Sequence, residues 1–217
     1  MADAELELDD EREDDPSTRT RTTAIGIALI LFGLIGLWAA LSLMIEAVQY
    51  YKHPDQSLAC DFSVLVSCSH NIASSYGSLF GFPNPILGLM AWPIVITTGA
   101  LLVGKVPLPA WYWRGFSIGC ALALLLVAAF VSFSMWSLQV LCPWCMLTWS
   151  VTIPTFWTVV LHAGRQGYLF RSPAFTRFCA RCFGWIPSLT VACYLIVIVL
   201  AQLNLDAIPR ILHDLMG

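Results

Sequence analysis

Residues 24–47 read AIGIALILFGLIGLWAALSLMIEA, twenty-four positions with a single charge, Glu46, near the end. A helix rises about 1.5 Å per residue, so roughly 20 such residues cross the hydrocarbon core of a bilayer. Four further stretches repeat the pattern, at 84–103, 112–135, 143–162 and 185–203. Of the 217 residues, 58% are hydrophobic and only 12% charged, with a mean hydropathy of +0.74. That composition excludes an ordinary soluble domain. It predicts an all-α membrane protein with five transmembrane helices. The connection Lys105-Val-Pro-Leu-Pro is short, which predicts that spans two and three are antiparallel neighbours.

Charge divides the chain into sides. Nine of the fourteen acidic residues fall within 1–15. That stretch lacks aromatic and β-branched residues, so residues 1–23 are expected to form a disordered cytoplasmic tail. The first span is long enough to cross and lacks a small-residue cleavage site, so an uncleaved first helix is expected rather than a signal peptide. Arg12, Arg19, Arg21, Lys105, Arg114, Arg165, Arg171, Arg177 and Arg181 fall on one side of the five spans; Lys52 and Arg210 fall on the other. The excess of positive charge predicts a cytoplasmic N-terminus and a cytoplasmic loop at 163–184. It puts the 48–83 loop, the turn at Cys142 and the short tail after the fifth helix (185–217) outside. No basic patch carries interleaved aromatics, so nucleic acid is not an expected partner. The 48–83 loop holds Tyr50, Tyr51, Phe62, Tyr76, Phe80 and Phe82, and is expected to lie on the membrane surface as a lid.

Cys142-Pro143-Trp144-Cys145 opens the fourth span. A cysteine at a helix N-terminus meets free backbone N–H groups and the positive end of the dipole, which favour its thiolate. Pro143 suits the first turn, where no N–H partner is needed. Such a pair performs dithiol–disulfide exchange, although two reduced thiols or half of a metal site have the same spacing. Cys60 and Cys68, eight residues apart in the lid, suit either a bracing disulfide or a shuttle pair that trades disulfides with Cys142 and Cys145. By the charge rule all four lie on the oxidising side.

The run Cys60-Asp-Phe-Ser-Val-Leu-Val-Ser-Cys68-Ser69, then Ser74, then Gly81-Phe82-Pro83-Asn84-Pro85-Ile86-Leu87-Gly88, then Cys142-x-x-Cys145 resembles the vitamin K epoxide reductase family, and its bacterial members most. The resemblance covers residues 24–162, the expected redox core. It implies a four-helix bundle around a quinone, menaquinone or ubiquinone, with a fifth helix packed at its side, in a bacterial plasma membrane. Many bacterial relatives carry a fused thioredoxin-like domain; this chain is expected to use a separate DsbA-like thioredoxin-fold protein instead. By resemblance, Cys60 exchanges with that partner, Cys68 exchanges with Cys142, and Cys145 faces the quinone. Asn84 matches an asparagine that donates to a quinone carbonyl, and Ser74 a loop serine near the redox centre. Tyr76, Phe80, Phe82, Leu87 and Trp149 are candidates to wall the ring. The vertebrate enzyme has tyrosine where Trp149 stands. An indole N–H donates but does not accept, which favours a plain quinone over an epoxide.

The DsbB type of quinone-coupled protein places its Cys-x-x-Cys in the first outward loop, the reverse of the order here. A metal-handling protein or a scaffold with bracing disulfides remains as an alternative from other classes, although Met-rich and His-rich tracts are lacking. Cys120 and Cys193 read as small core residues. Cys179-Ala-Arg-Cys182 reads as two free thiols in a basic turn; a zinc site would need His162 and one more ligand. His53, His70 and His213 lack ligand spacing. Glu46 reads as an exposed residue at the outer end of span one, or as a proton acceptor.

Overall fold

The computed structural model describes residues 16–54, 58–61 and 66–205, with side chains from Thr20 onward. The acidic stretch 1–15, Phe62, Arg210 and His213 lie outside the described residues. The elements run α1 (Pro16–Lys52), α2 (Ser69–Ala73), a tight turn at Ser75–Ser78, α3 (Pro85–Val103), α4 (Ala110–Ser132), α5 (Pro143–Arg165), α6 (Pro173–Phe183) and α7 (Ile186–Leu205). A widened turn, Phe133–Leu138, ends α4. Five of these helices, α1, α3, α4, α5 and α7, are long and apolar enough to cross a membrane. The chain is an all-α membrane protein.

Proline marks the starts. Pro85, Pro143 and Pro173 each sit in a first turn, where the missing N–H has no helical acceptor to lose. The widened turn after α4 stops at Gln139, which takes a left-handed φ of 53°. The chain then runs extended into Cys142, whose ψ of 122° precedes α5.

Small residues bring α1 and α3 together. A Cβ on Gly26 would lie 2.7 Å from the Gly99 carbonyl oxygen, and one on Gly99 would lie 2.6 Å from that of Gly26. Gly33 abuts Ile96, Gly36 abuts the Trp92 ring, and Gly88 abuts Ala40. In lipid, where no hydrophobic force pulls helices together, such backbone approach supplies the van der Waals contact that holds them. Ile25, Leu29, Ala40, Trp92, Val95, Leu102, Trp113 and Val159 form the shared core. α1 also packs on α5, α5 packs on α4, and α7 lies against α5. Half of the apolar stretch of α5 is buried against 6% of that of α7, which makes α5 the central post and α7 a peripheral helix.

Four expectations need correction. α1 begins at Pro16, so 16–23 are helical rather than a continuation of the tail. The 163–184 loop contains α6, which carries Cys179 and Cys182 on a helix rather than in a turn. α3 and α4 are not packed neighbours; they meet through the Thr98 and Tyr112 hydroxyls near their joining loop. Their order in the bundle is α3, α1, α5, α4, because the glycines of α3 fit α1, which packs in turn on α5. Glu46 is buried, 7% exposed, rather than solvated, since the inner face of α1 carries it into the bundle.

Candidate active site

All four cysteines of the two pairs are brought together. Cys60 and Cys68 form a disulfide with Cα atoms 5.7 Å apart. The Cys142 thiol lies 3.5 Å from the Cys68 sulfur. Cys60, Cys68 and Cys142 are 3%, 0% and 0% exposed, and Cys145, a free thiol, is half-buried. Ala47, Leu58, Ile72, Leu43, Tyr50 and Trp144 enclose these sulfurs in one apolar cluster.

Backbone pairing sets this meeting. Val66 bridges Leu141 in parallel, and the Ser67 N–H donates to the Leu141 carbonyl at 3.1 Å. One residue further along each strand-like segment stand Cys68 and Cys142. The lid is thereby clipped to the segment entering α5.

Asp61, adjacent to Cys60, organises the rest of the loop. Its carboxylate accepts from the Leu58 N–H at 3.1 Å, the Ser67 hydroxyl at 2.6 Å, the Cys68 N–H at 2.8 Å and the Ser69 N–H at 3.1 Å. Burial pushes this carboxyl up, but the bonds from Ser67, Ser69 and Leu58 outweigh it and hold the pKa at about 2. A carboxylate with several N–H and O–H donors is stabilised in its charged form.

Asn71 is the second organiser. Its Nδ2 donates to the Cys145 sulfur at 3.3 Å. The Ser74 hydroxyl donates to the Asn71 carbonyl at 2.8 Å, so Ser74 steadies the turn that aims Asn71. The Cys142 thiol, at the head of α5, is held below its usual range, first by the hydrogen bond from Cys145; burial opposes this, and the N–H groups of Cys145 and Trp144 assist it.

The expected ring contacts are placed unevenly. Trp149 is 5% exposed and shares a cluster with Cys145, Met146, Val66 and Met135. Tyr76 stacks on Phe133 with centroids 4.4 Å apart. Asn84 fastens the lid to α3: Nδ2 donates to the Tyr76 carbonyl at 2.6 Å and Oδ1 accepts from the Leu79 N–H at 3.2 Å. A carboxamide nitrogen has two hydrogens, and the bond to Tyr76 uses one of those of Asn84. Phe80 is 51% exposed and stacks on Phe82. Leu87 is half-buried in the first turn of α3. Neither Phe80 nor Leu87 joins the two apolar clusters that hold the sulfurs.

The remaining thiols stand apart. Cys179 is buried against Gly164 of α5. His162 is buried, hydrogen-bonds Arg165 at 3.2 Å and packs on Trp113. Among the described residues no three His, Cys, Asp or Glu side chains gather as metal ligands.

Sequence reasoning assigned no role to Asp61 or Asn71. Asp61 carried a signal, since an aspartate upstream of a Ser-x-Ser run accepts local N–H groups readily. Asn71 carried none, because only the fold brings it to Cys145.

A dithiol whose first thiol is buried against a buried disulfide, sulfur to sulfur, can exchange through a mixed disulfide without diffusing. No curated protein matches the chain. A family model does: that of the Vitamin K epoxide reductase family, over residues 27–160. These residues span α1 to α5 and contain all four sulfurs, and the chain belongs to that family, which makes it a membrane thiol oxidoreductase.

Proposed function

We propose that this protein is a quinone-dependent enzyme that regenerates the disulfide of an exported oxidant. Electrons enter from a reduced DsbA-like thioredoxin-fold partner at Cys60. They pass from the Cys60–Cys68 pair to the Cys142–Cys145 pair and leave from Cys145 to menaquinone or ubiquinone. The partner then oxidises secreted proteins. The 3.5 Å approach of the Cys142 and Cys68 sulfurs carries this reading, because transfer between the pairs has to form that bond.

In the chemical sequence, a Cys68 thiolate attacks the Cys142 sulfur of an oxidised Cys142–Cys145 pair, and Cys145 leaves as thiolate. Cys60 then attacks Cys68, closing the Cys60–Cys68 disulfide and releasing Cys142 as a thiol. Asn71 donates to the Cys145 sulfur and steadies the charge it holds on leaving. Trp149, one helical turn beyond, together with Tyr76, Phe80, Leu87, Ser74 and the free amide hydrogen of Asn84, are the proposed ring contacts. A bound quinone supplies the two-electron acceptor, and the apolar surroundings exclude competing water.

The charge bias of the loops supports a topology with these sulfurs outside a bacterial plasma membrane and the N-terminus cytoplasmic. Full-length protein in nanodiscs, given reduced thioredoxin-fold partner and each quinone in turn, tests the reading. One quinol per partner disulfide is expected, and none from Cys142→Ser or Cys145→Ser. Quinol formation that survives both substitutions would overturn it.

A further inference from the structure

Glu46 is the only Asp or Glu in the five membrane-crossing helices. It is 7% exposed, and its Oε2 is buried without a hydrogen-bond partner among the described residues. A carboxyl so placed costs stability, and an intramembrane ionisable side chain of this kind points to a functional role. Its position on α1 shows what surrounds it. Leu43, Ala47 and Tyr50 belong to the cluster that encloses Cys60, Cys68 and Cys142. Glu46 lies three residues after Leu43 and four before Tyr50, on the same helix face. The Trp144 ring edges that cluster too, and its Nε1 is also buried and unpartnered.

The sulfur relay has an unmet need at this spot. Cys68 starts as a thiol and has to lose its proton before it attacks Cys142. Cys68 and Cys142 are sealed from solvent, so bulk water cannot take that proton. We propose that Glu46 is the proton acceptor of the relay, an inference that rests on the function proposed above. As Cys68 attacks, its S–H proton moves to the Glu46 carboxylate. The Cys68–Cys142 bond forms, the Cys142–Cys145 bond breaks, and the electron pair leaves on Cys145. When Cys60 closes on Cys68, the proton held by Glu46 goes to the departing Cys142 sulfur, and the proton of Cys60 goes to the Cys145 thiolate. No proton is gained or lost over the exchange, and no further reactant is needed.

Other titratable groups on the elements packed here are Tyr50, Tyr51 and Lys52 at this end of α1, Asp61 in the loop, His70 on α2, and Cys142 and Cys145 at the head of α5, with His162 and Arg165 at its far end; α3 carries none. His70 is exposed, and Asp61 is engaged by its own loop.

The test compares wild type, Glu46→Gln and Glu46→Asp as full-length protein in nanodiscs, with reduced thioredoxin-fold partner and menaquinone. Turnover is followed from pH 5.5 to 9, and the Cys68–Cys142 crosslink is scored by acid quench and mass spectrometry. Removing a general base typically costs about 100-fold in rate. Glu46→Gln should lose about that much in kcat with KM for the partner unchanged, and its pH profile should flatten. Glu46→Asp should recover most of the rate. Wild-type turnover matched by Glu46→Gln at every pH would overturn the role of Glu46 alone. Absence of turnover in wild type would overturn the relay itself, and Glu46 with it. If Glu46→Gln fails to fold, Glu46→Asp decides: a displaced pH profile supports the inference, and an unchanged profile overturns it.

Discussion

Removing the Asp61 carboxylate should loosen the segment that carries the disulfide. Its pKa lies at about 2 against an ordinary 3.8. A depressed carboxyl contributes its hold in full above the ordinary value and loses it as pH falls through the depressed one. Reduction of Cys60–Cys68 by a water-soluble phosphine should therefore be slow in wild type down to about pH 4 and accelerate toward pH 2. Asp61→Asn should be fast at neutral pH already, and the ratio of the two rates checks the sign. Asn71 makes a separate prediction. A hydrogen bond to a charged group contributes about 1.5–3 kcal/mol, so Asn71→Ala should slow quinone reduction about 10- to 100-fold, read as quinol absorbance. At this scale the sequence exposed the sulfurs but not what aims them. Cysteine spacing is a local pattern. The bond from Asn71 to Cys145 joins positions 74 residues apart, and nothing local encodes it. Glu46 misled for a related reason: charge near the end of an apolar run reads as solvated, and only the facing of α1 turns it inward.

Among elements, the α1–α3 pair depends most on small residues. Gly99→Val would drive a branched side chain into the Gly26 carbonyl and Ile30, and overpacking of this kind costs about 1–3 kcal/mol. Gly119→Ala on α4, where nothing lies within 4 Å, is the control expected to leave thermal unfolding in detergent nearly unchanged. The five apolar runs were legible because their length alone meets the bilayer. Their ends were less so: α1 extends to Pro16 and α5 to Arg165, where polar residues continue a helix that hydropathy no longer marks. Phe175, Cys179 and Phe183 recur at helical spacing in α6, but the segment is too short and too rich in arginine for hydropathy to mark it. The separation of α3 from α4 was not legible either. A short loop limits how far two ends part, but it does not make the shafts touch.

For the molecule as a whole, the proposed topology predicts a labelling pattern. A membrane-impermeant maleimide added outside intact cells should modify a cysteine placed at Lys52 and spare one placed at Lys105. The reverse pattern would put the sulfurs in the cytosol and end the proposed function. Fold class was readable from composition, and the family from four cysteines and one proline-rich helix entry; the sealed interior that these sulfurs share was not, since it arises from the lid docking against α1 and α5. That seal bears on selectivity. Cys60 is 3% exposed and its neighbour Asp61 latches the loop shut. Under the proposed function, glutathione and other small thiols are expected to react slowly with the latched pair, and a folded protein partner pressing on the lid is expected to open it. For the proposed relay, the expected consequence is an oxidant held in reserve for its protein client and insulated from the thiol pool around it.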